Sequence, residues 1–168
     1  MSKVGDSIQA ENASWSFSGD VVNTFEGHIS KSVPFYEEGH RLICQLSDFF
    51  IKQDSYCYEL GSSTGILTSK LCSHSGQGKG EFIGVDYVKD MINYAQQCYK
   101  AENLKYIHED VVTYEYEMSD LFISYYLLLF IHPSLRQKLV DKVYSSLRWG
   151  VRLFALKRSE LQTQDFRT

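Results

Sequence analysis

A glycine-containing turn and an acidic side chain are the first residues of the sequence that could bind a ligand. Residues 61–65 (Gly-Ser-Ser-Thr-Gly) stand between a predicted strand and a predicted helix. Glycine in such a turn lets the backbone approach a ligand closely. Asp86 follows Gly65 by 21 residues, at the end of the next predicted strand. A carboxylate there, in a doubly wound sheet, can accept hydrogen bonds from both hydroxyls of a ribose.

Each of these features also has a purely structural explanation. Residues 61–65 could be an ordinary strand-to-helix turn, and Asp86 could serve a helix N-terminus, where an acid is favourable. A third feature, Glu109-Asp110-Val111, follows the third predicted strand. Asp110 could accept a hydrogen bond from an adenine amino group, with the Val111 amide facing the ring, or the segment could be a plain acidic loop. The spacing between the turn and Asp86 favours the ribose interpretation.

The pattern of the turn argues against phosphate-containing ligands. Its G-x-x-x-G spacing differs from the G-x-G-x-x-G that cradles a pyrophosphate, and no P-loop lysine follows it. S-adenosylmethionine has no phosphate and carries a sulfonium cation, which carboxylates and aromatic faces attract. Aromatic residues make up 14% of the chain, and 12 of them are tyrosines. The sequence therefore favours this cofactor, although a tyrosine-rich core and surface would give the same composition.

Five predicted strands alternate with helices and would position these residues. The strands are predicted at 55–60, 81–86, 104–108, 120–126 and 151–157. The helices are predicted at 38–51, 66–72, 88–100 and 133–147. This alternation predicts right-handed βαβ crossovers and an α/β fold with a mostly parallel, Rossmann-like sheet.

The length of 168 residues suits one domain. Residues 1–14 are predicted to form a flexible tail, and residues 15–168 a single ligand-binding domain. Its first part, 15–36, carries too many apolar side chains for a free tail and too little periodicity for a sheet element. We expect short helices there that close over the ligand as a lid.

Charge and hydropathy indicate where the protein is located and which classes of partner it binds. The net charge of −4 gives no evident attraction to nucleic acid. The sequence contains no run of 18 apolar residues, so no membrane span is predicted. The polar N-terminal segment lacks the apolar core of a signal peptide. A cytoplasmic protein with a small-molecule substrate and no membrane association is expected. The four cysteines form no C-x-x-C pair and stand near no histidine cluster, so we expect no metal site.

At these motifs the chain resembles the class I S-adenosylmethionine-dependent methyltransferases, most closely the carboxy-S-adenosylmethionine synthase branch. The resemblance covers roughly residues 15–157. Its specific part is Ser-Val-Pro-Phe-Tyr at 32–36, because generic methyltransferases lack this segment. The other matching segments are 59–63, 85–86, 90–91, 109–111 and the stretch from 124–126 to 132–133.

The resemblance implies residues for the methionine end of the cofactor. Tyr36 would contact the methionine portion, and the backbone of Gly61, Ser62 and Ser63 would line it. Tyr125 stands where the synthases carry an asparagine beside the ligand.

The resemblance also implies which residues bind the adenosine end of the cofactor. Asp86 and Tyr87 would hold the ribose, and Asp110 and Val111 the adenine. No catalytic residue is identified. His28, His40 or His132 could act as a base, but positioning alone can drive methyl transfer to a good nucleophile, and structural histidines are the better expectation.

The expected function is that of a small-molecule methyltransferase, with S-adenosylhomocysteine as the product of the cofactor. Two alternatives remain: a truncated, non-catalytic binding subunit that requires a partner, and an enzyme making a carboxylated or cyclised product. Proteins of this family continue past the fifth strand with a helix and two antiparallel strands, and the arginine that binds the extra carboxylate in the synthases has no match here. We therefore expect a homodimer or a partner protein to cover the apolar edge of the fifth strand.

Overall fold

The core of the protein is a sheet of five parallel strands. The computed structural model describes residues 10–11, 14–15, 21–76 and 78–156. The strands of the sheet are β1 (Tyr56–Leu60), β2 (Glu81–Asp86), β3 (Leu104–His108), β4 (Ser119–Tyr125) and β5 (Leu147–Leu156). Their order is β3-β2-β1-β4-β5, and every neighbouring pair is parallel. The predicted α/β class is confirmed, with the first strand at the centre.

Within the described residues, five helices accompany the sheet. They are α1 (Val21–Ser32), α2 (Tyr36–Ser47), α3 (Ile66–Ser75), α4 (Lys89–Cys98) and α5 (Pro133–Ser145). A short antiparallel pair, Ala10–Glu11 with Ser14–Trp15, precedes them. Among the helices that the structure describes, none is both long and apolar enough to cross a bilayer.

Both faces of the sheet are buried, as strand β4 illustrates. Leu121, Phe122 and Ile123 are each 0% exposed. Leu121 and Ile123 pack in one cluster with Leu71 of α3, whereas Phe122 packs on the other face with Leu139 of α5. A parallel strand covered on both sides needs a continuous apolar run, and this run is the signal that predicted β4.

Helix α2 differs from its prediction. Its apolar pattern predicts a helix over 38–51, but the helix covers Tyr36–Ser47. The predicted end is wrong because the chain turns after Ser47, where the Phe50 amide donates a hydrogen bond to the Ser47 carbonyl three residues before it over 2.9 Å. Phe49 lies in that turn and is 77% exposed. The helix also begins two residues before its predicted start, at Tyr36, which is one of the predicted site residues.

Strand β5 starts four residues before its predicted start at 151, as β5 spans Leu147–Leu156. In this early part of the strand Leu147 pairs with Ser119 of β4, and the Arg148 guanidinium contacts the Asp120 carboxylate of β4 over 2.8 Å. In the described part of the chain, β4 is the only neighbour of β5. The far side of β5 is therefore an edge of the sheet as far as the structure describes it.

Candidate functional site

The loop between β1 and α3 has an unusual backbone conformation. Gly61, Ser63 and Gly65 have φ values of 72°, 50° and 80°, all in the left-handed region. Glycine adopts this region without strain, which explains two of the three residue types. At Gly65 space is also limiting, because an added Cβ would approach the Cβ of Ala95 to 2.7 Å. The loop therefore brings bare backbone to the carboxyl end of the central strand.

Asp86 lies beside this loop and shapes it. At the end of β2, its carboxylate accepts hydrogen bonds from the Ser63 amide over 2.7 Å and the Val88 amide over 2.8 Å. Burial raises the pKa of Asp86, and these two amides oppose the rise. A carboxylate has about four acceptor positions, so both oxygens keep capacity for ligand hydroxyls. The turn at 61–65 and Asp86, which are separated in the sequence, are thus in direct contact in the structure.

Tyr36 and Tyr125 meet at the same end of the sheet. Their ring centroids are 5.6 Å apart, and the Tyr125 hydroxyl donates a hydrogen bond to the Tyr36 carbonyl over 3.1 Å. Gly39, one turn further along α2, leaves room for the Tyr125 hydroxyl; a Cβ at this position would collide with it. The end of β4 and the first turn of α2 are therefore in direct contact.

His40 completes this aromatic cluster. Its ring centroid lies 4.3 Å from that of Tyr36, and its side chain is 1% exposed. Burial lowers the pKa of His40 to about 4. The imidazole is therefore neutral near neutral pH, and its Nδ1 lies 3.3 Å from the Lys70 ammonium. These contacts describe a packing role, as expected for a structural histidine.

The residues predicted for the adenosine end lie at the carboxyl ends of β2 and β3. The Asp110 carboxylate accepts a hydrogen bond from the Val112 amide over 2.8 Å, forming a tight turn after β3. Val111 is buried at 4% exposure, while Tyr87 is 74% exposed. Hydrogen bonds link the strand ends, because the Glu109 amide donates to the Asp86 carbonyl over 3.1 Å. Asp86 and the turn after β3 therefore form one continuous surface.

Glu59 was not among the predicted site residues, although it belongs to the matching segment 59–63. It is a buried acid in the central strand, 4% exposed, and accepts a hydrogen bond from the Thr68 hydroxyl of α3. Burial is the main cause that raises the pKa of Glu59 to about 8; the neighbouring Asp86 also raises it, and hydrogen bonds from Thr68 oppose the rise. A charged residue type inside an apolar strand was the signal that could have revealed it.

Glu26 of α1 was also missed. Its carboxylate accepts hydrogen bonds from the Thr64 hydroxyl over 3.1 Å and the Tyr99 hydroxyl over 3.2 Å. Helix α1 is thereby fixed to the loop and to the residue after α4. Because Glu26 and Thr64 are 38 residues apart, no local pattern in the sequence indicates this contact.

These residues fit the expected cofactor in chemistry. The charges that act on Glu59 from the described residues include no cation, so a positively charged ligand group would complement it. Ser62 is 3% exposed, and its hydroxyl has no hydrogen-bond partner in the described structure. The carboxyl end of β1 and the loop that follows it therefore combine a buried acid with an unpartnered hydroxyl, two groups that a polar, positively charged ligand would complement.

Comparisons with known sequences point to the same family. A family profile described as a methyltransferase domain matches residues 58–150. The carboxy-S-adenosyl-L-methionine synthase of Staphylococcus epidermidis is 32% identical over 137 residues, covering 81% of this chain and 60% of that protein. The chain spans between 55% and 60% of the length of the curated relatives that it matches.

Solved structures share the fold. A TehB-like S-adenosylmethionine-dependent methyltransferase of Corynebacterium glutamicum superimposes with a TM-score of 0.62 at 15% identity, covering 78% of this chain and 67% of that chain. An RNA methyltransferase of Salinibacter ruber, crystallised with S-adenosyl-L-homocysteine, gives a TM-score of 0.57 at 19% identity, covering 72% of this chain and 75% of that chain. At sequence identities this low, the similarity to these two structures shows a shared fold only.

Proposed function

Because the chain belongs to the methyltransferase domain family, we propose that it is an S-adenosylmethionine-dependent methyltransferase acting on a small molecule. The observation that carries this proposal is the contact between the left-handed loop 61–65 and Asp86, whose carboxylate accepts the Ser63 amide over 2.7 Å. This contact brings the glycine-containing backbone of the loop and the Asp86 carboxylate together at the carboxyl end of the sheet, where ligands bind in open α/β folds.

The bound cofactor would supply an electrophilic methyl carbon on a sulfonium. Asp86 would hold the two ribose hydroxyls, and the turn at Asp110 and Val111 would hold the adenine. The backbone at 61–63 and the Tyr36 ring would hold the methionine portion. The role of these groups is to align the cofactor and exclude water, since methyl transfer to a good nucleophile depends mainly on orientation.

Titration calorimetry tests this proposal directly. We expect one molecule of S-adenosylmethionine or S-adenosylhomocysteine to bind per chain. Absence of binding by both ligands to a protein with intact circular dichroism would refute the proposal. Native mass spectrometry of the purified protein adds an independent check, because a bound adenosyl ligand would appear as an added mass.

We also propose that α1 and the start of α2 act as a lid over the methionine end. Support comes from Glu26, which joins α1 to Thr64 of the loop, and from Tyr36, whose carbonyl is bound by Tyr125. When S-adenosylmethionine or S-adenosylhomocysteine is bound, hydrogen exchange of residues 21–36 should be slower than in the free protein. Residues 15–20 of the predicted lid lie largely outside the described residues.

A second product remains a candidate because the curated relatives are named carboxy-S-adenosyl-L-methionine synthases. Such an enzyme would convert the cofactor itself into a carboxylated derivative, taking the carboxyl group from a second, carboxyl-donating substrate that the incubation must contain. Mass spectrometry of the cofactor after incubation distinguishes the two reactions, since the carboxylated product is heavier than S-adenosylmethionine and S-adenosylhomocysteine is lighter.

We further propose that a second copy of the chain covers β5, with a partner protein as the alternative. In the described residues β5 pairs on one side only, with β4, and unpaired edge strands favour addition of another strand. Light scattering at micromolar concentration should therefore give the mass of a dimer. A monodisperse monomer whose β5 amides exchange freely would contradict this proposal.

The cysteines support a cytoplasmic location within this proposal. Cys44, Cys57, Cys72 and Cys98 are all free thiols, and the first three are buried. Unpaired thiols are typical of reducing compartments.

A further inference from the structure

Glu26 places a carboxylate directly over the loop 61–65. Its Oε1 accepts hydrogen bonds from the Thr64 hydroxyl over 3.1 Å and the Tyr99 hydroxyl over 3.2 Å. Two donors on different elements fix the position of this oxygen. A side chain of a lid helix is thereby held at the loop that would receive the methionine end of the cofactor.

The carboxylates of Glu26 and Glu59 both interact electrostatically with the Tyr36 side chain. Burial raises the pKa of Tyr36 well above its usual range, and the carboxylates of Glu59 and Glu26 add to this rise. Two acids from different elements therefore act on the side chain predicted to touch the methionine portion. A nearby cation, the Lys70 ammonium, is already paired with the Glu37 carboxylate over 2.7 Å.

We propose that Glu26 is a specificity-determining residue that raises the affinity for S-adenosylmethionine relative to that for S-adenosylhomocysteine. This inference rests on the proposed function. The two ligands share the adenosine and the amino acid and differ at sulfur, where the first carries a methyl group and a positive charge. A carboxylate held near sulfur stabilises only the charged form. Loss of that charge on methyl transfer then weakens retention of the product.

The variant Glu26→Gln separates charge from structure. The glutamine amide has nearly the shape of the carboxylate, and its oxygen can still accept hydrogen bonds from Thr64 and Tyr99. Calorimetry with both ligands should show S-adenosylmethionine binding weakened on the order of tenfold, a value between that of a contacting charge pair in bulk water and that of such a pair near a protein surface. Binding of S-adenosylhomocysteine should stay unchanged. Glu102→Gln, at an exposed position after α4, makes the same change in net charge and should alter neither affinity.

Thr64→Val provides the opposite variant, since it removes one hydrogen bond to Glu26 and keeps the carboxylate. Here both ligands should weaken to a similar degree, so that the ratio of their affinities is retained. An equal loss of both ligands in Glu26→Gln, or an unchanged ratio, would show that Glu26 only holds the loop and would overturn the inference.

The salt dependence of the unaltered protein gives a test that does not require the variant to fold. Affinity for S-adenosylmethionine should fall more steeply with added salt than affinity for S-adenosylhomocysteine, because salt screens the additional charge interaction. Parallel salt dependences would count against charge selection. Failure of the unaltered protein to bind either ligand would instead contradict the proposed function itself.

Discussion

Replacing Asp86 with alanine is expected to weaken S-adenosylmethionine binding more than replacing Asp110 with alanine. In the proposed site, Asp86→Ala would remove two hydrogen bonds to ribose hydroxyls, a loss of roughly 1–3 kcal/mol in total. It would also leave the Ser63 and Val88 amides without their carboxylate acceptors. In the same site, Asp110→Ala would remove one hydrogen bond to an amino group that water can partly replace. Calorimetric titration of both variants measures the difference.

A modified ligand distinguishes the ribose contact from the support of the loop. With a 2′-deoxyadenosyl analogue of S-adenosylhomocysteine, one ribose hydroxyl is already gone, so Asp86→Ala should weaken binding less than it does with the parent ligand. Asp86→Asn retains one acceptor oxygen and should fall between Asp86→Ala and the unaltered protein. Equal or reversed losses at Asp86 and Asp110 would contradict the roles proposed for them.

Binding of S-adenosylmethionine is expected to strengthen as pH rises towards about 8. Burial raises the pKa of Glu59 to about 8, so the free protein holds this carboxyl protonated at lower pH. A cationic ligand favours the ionised form, and binding must therefore release a proton. The affinity should rise by up to about tenfold per pH unit below this pKa and level off above it. Calorimetry between pH 6 and 9 measures the slope.

Glu59→Gln identifies the group responsible for this slope. The amide cannot ionise, so the variant should bind S-adenosylmethionine weakly and with little dependence on pH over the same range. The hydrogen-bond donor to Glu59 is the Thr68 hydroxyl. The titratable groups that interact with Glu59 are the Asp86 carboxylate, the Tyr36 and Tyr106 phenols and the Cys44 and Cys57 thiols. A slope that persists in Glu59→Gln would assign the proton to another group.

The stability of the ligand-free protein should change with pH in the opposite direction. The pKa of Glu59 rises from 4.5 to about 8 on folding, so the folded state binds more protons than the unfolded state between these values. The contribution of Glu59 to the free energy of unfolding is present at low pH and is lost as pH rises to about 8. The two opposite trends, in affinity and in stability, follow from one buried carboxyl.

The elements of the sheet could be predicted because each has a local cause. The run from Leu121 to Ile123 predicts a strand buried on both faces, and the glycines at 61 and 65 predict a tight turn with close backbone contact. The end of α2 could not be predicted, because the apolar pattern continues to Ile51 while the backbone tightens into a turn after Ser47. In that turn the Phe50 amide donates to the Ser47 carbonyl over 2.9 Å.

The site was predictable only in part. Asp86 follows a strand at a spacing that depends on topology alone, so the sequence can indicate it. Glu26 reaches Thr64 only because of how α1 lies on the loop, and no local pattern encodes that orientation. Glu59 stands between these cases, since its residue type is visible in the strand but its burial requires the packing of α3.

The contact between Gly39 and Tyr125 links the evolution of two distant positions. Since a Cβ at position 39 would collide with the Tyr125 hydroxyl, the Tyr125 ring can keep its present position only beside a glycine. A lineage that replaced Tyr125 with a smaller residue would free position 39 to take up larger side chains. The two positions should therefore covary across descendants of this protein, with the bulk at one limiting the bulk at the other.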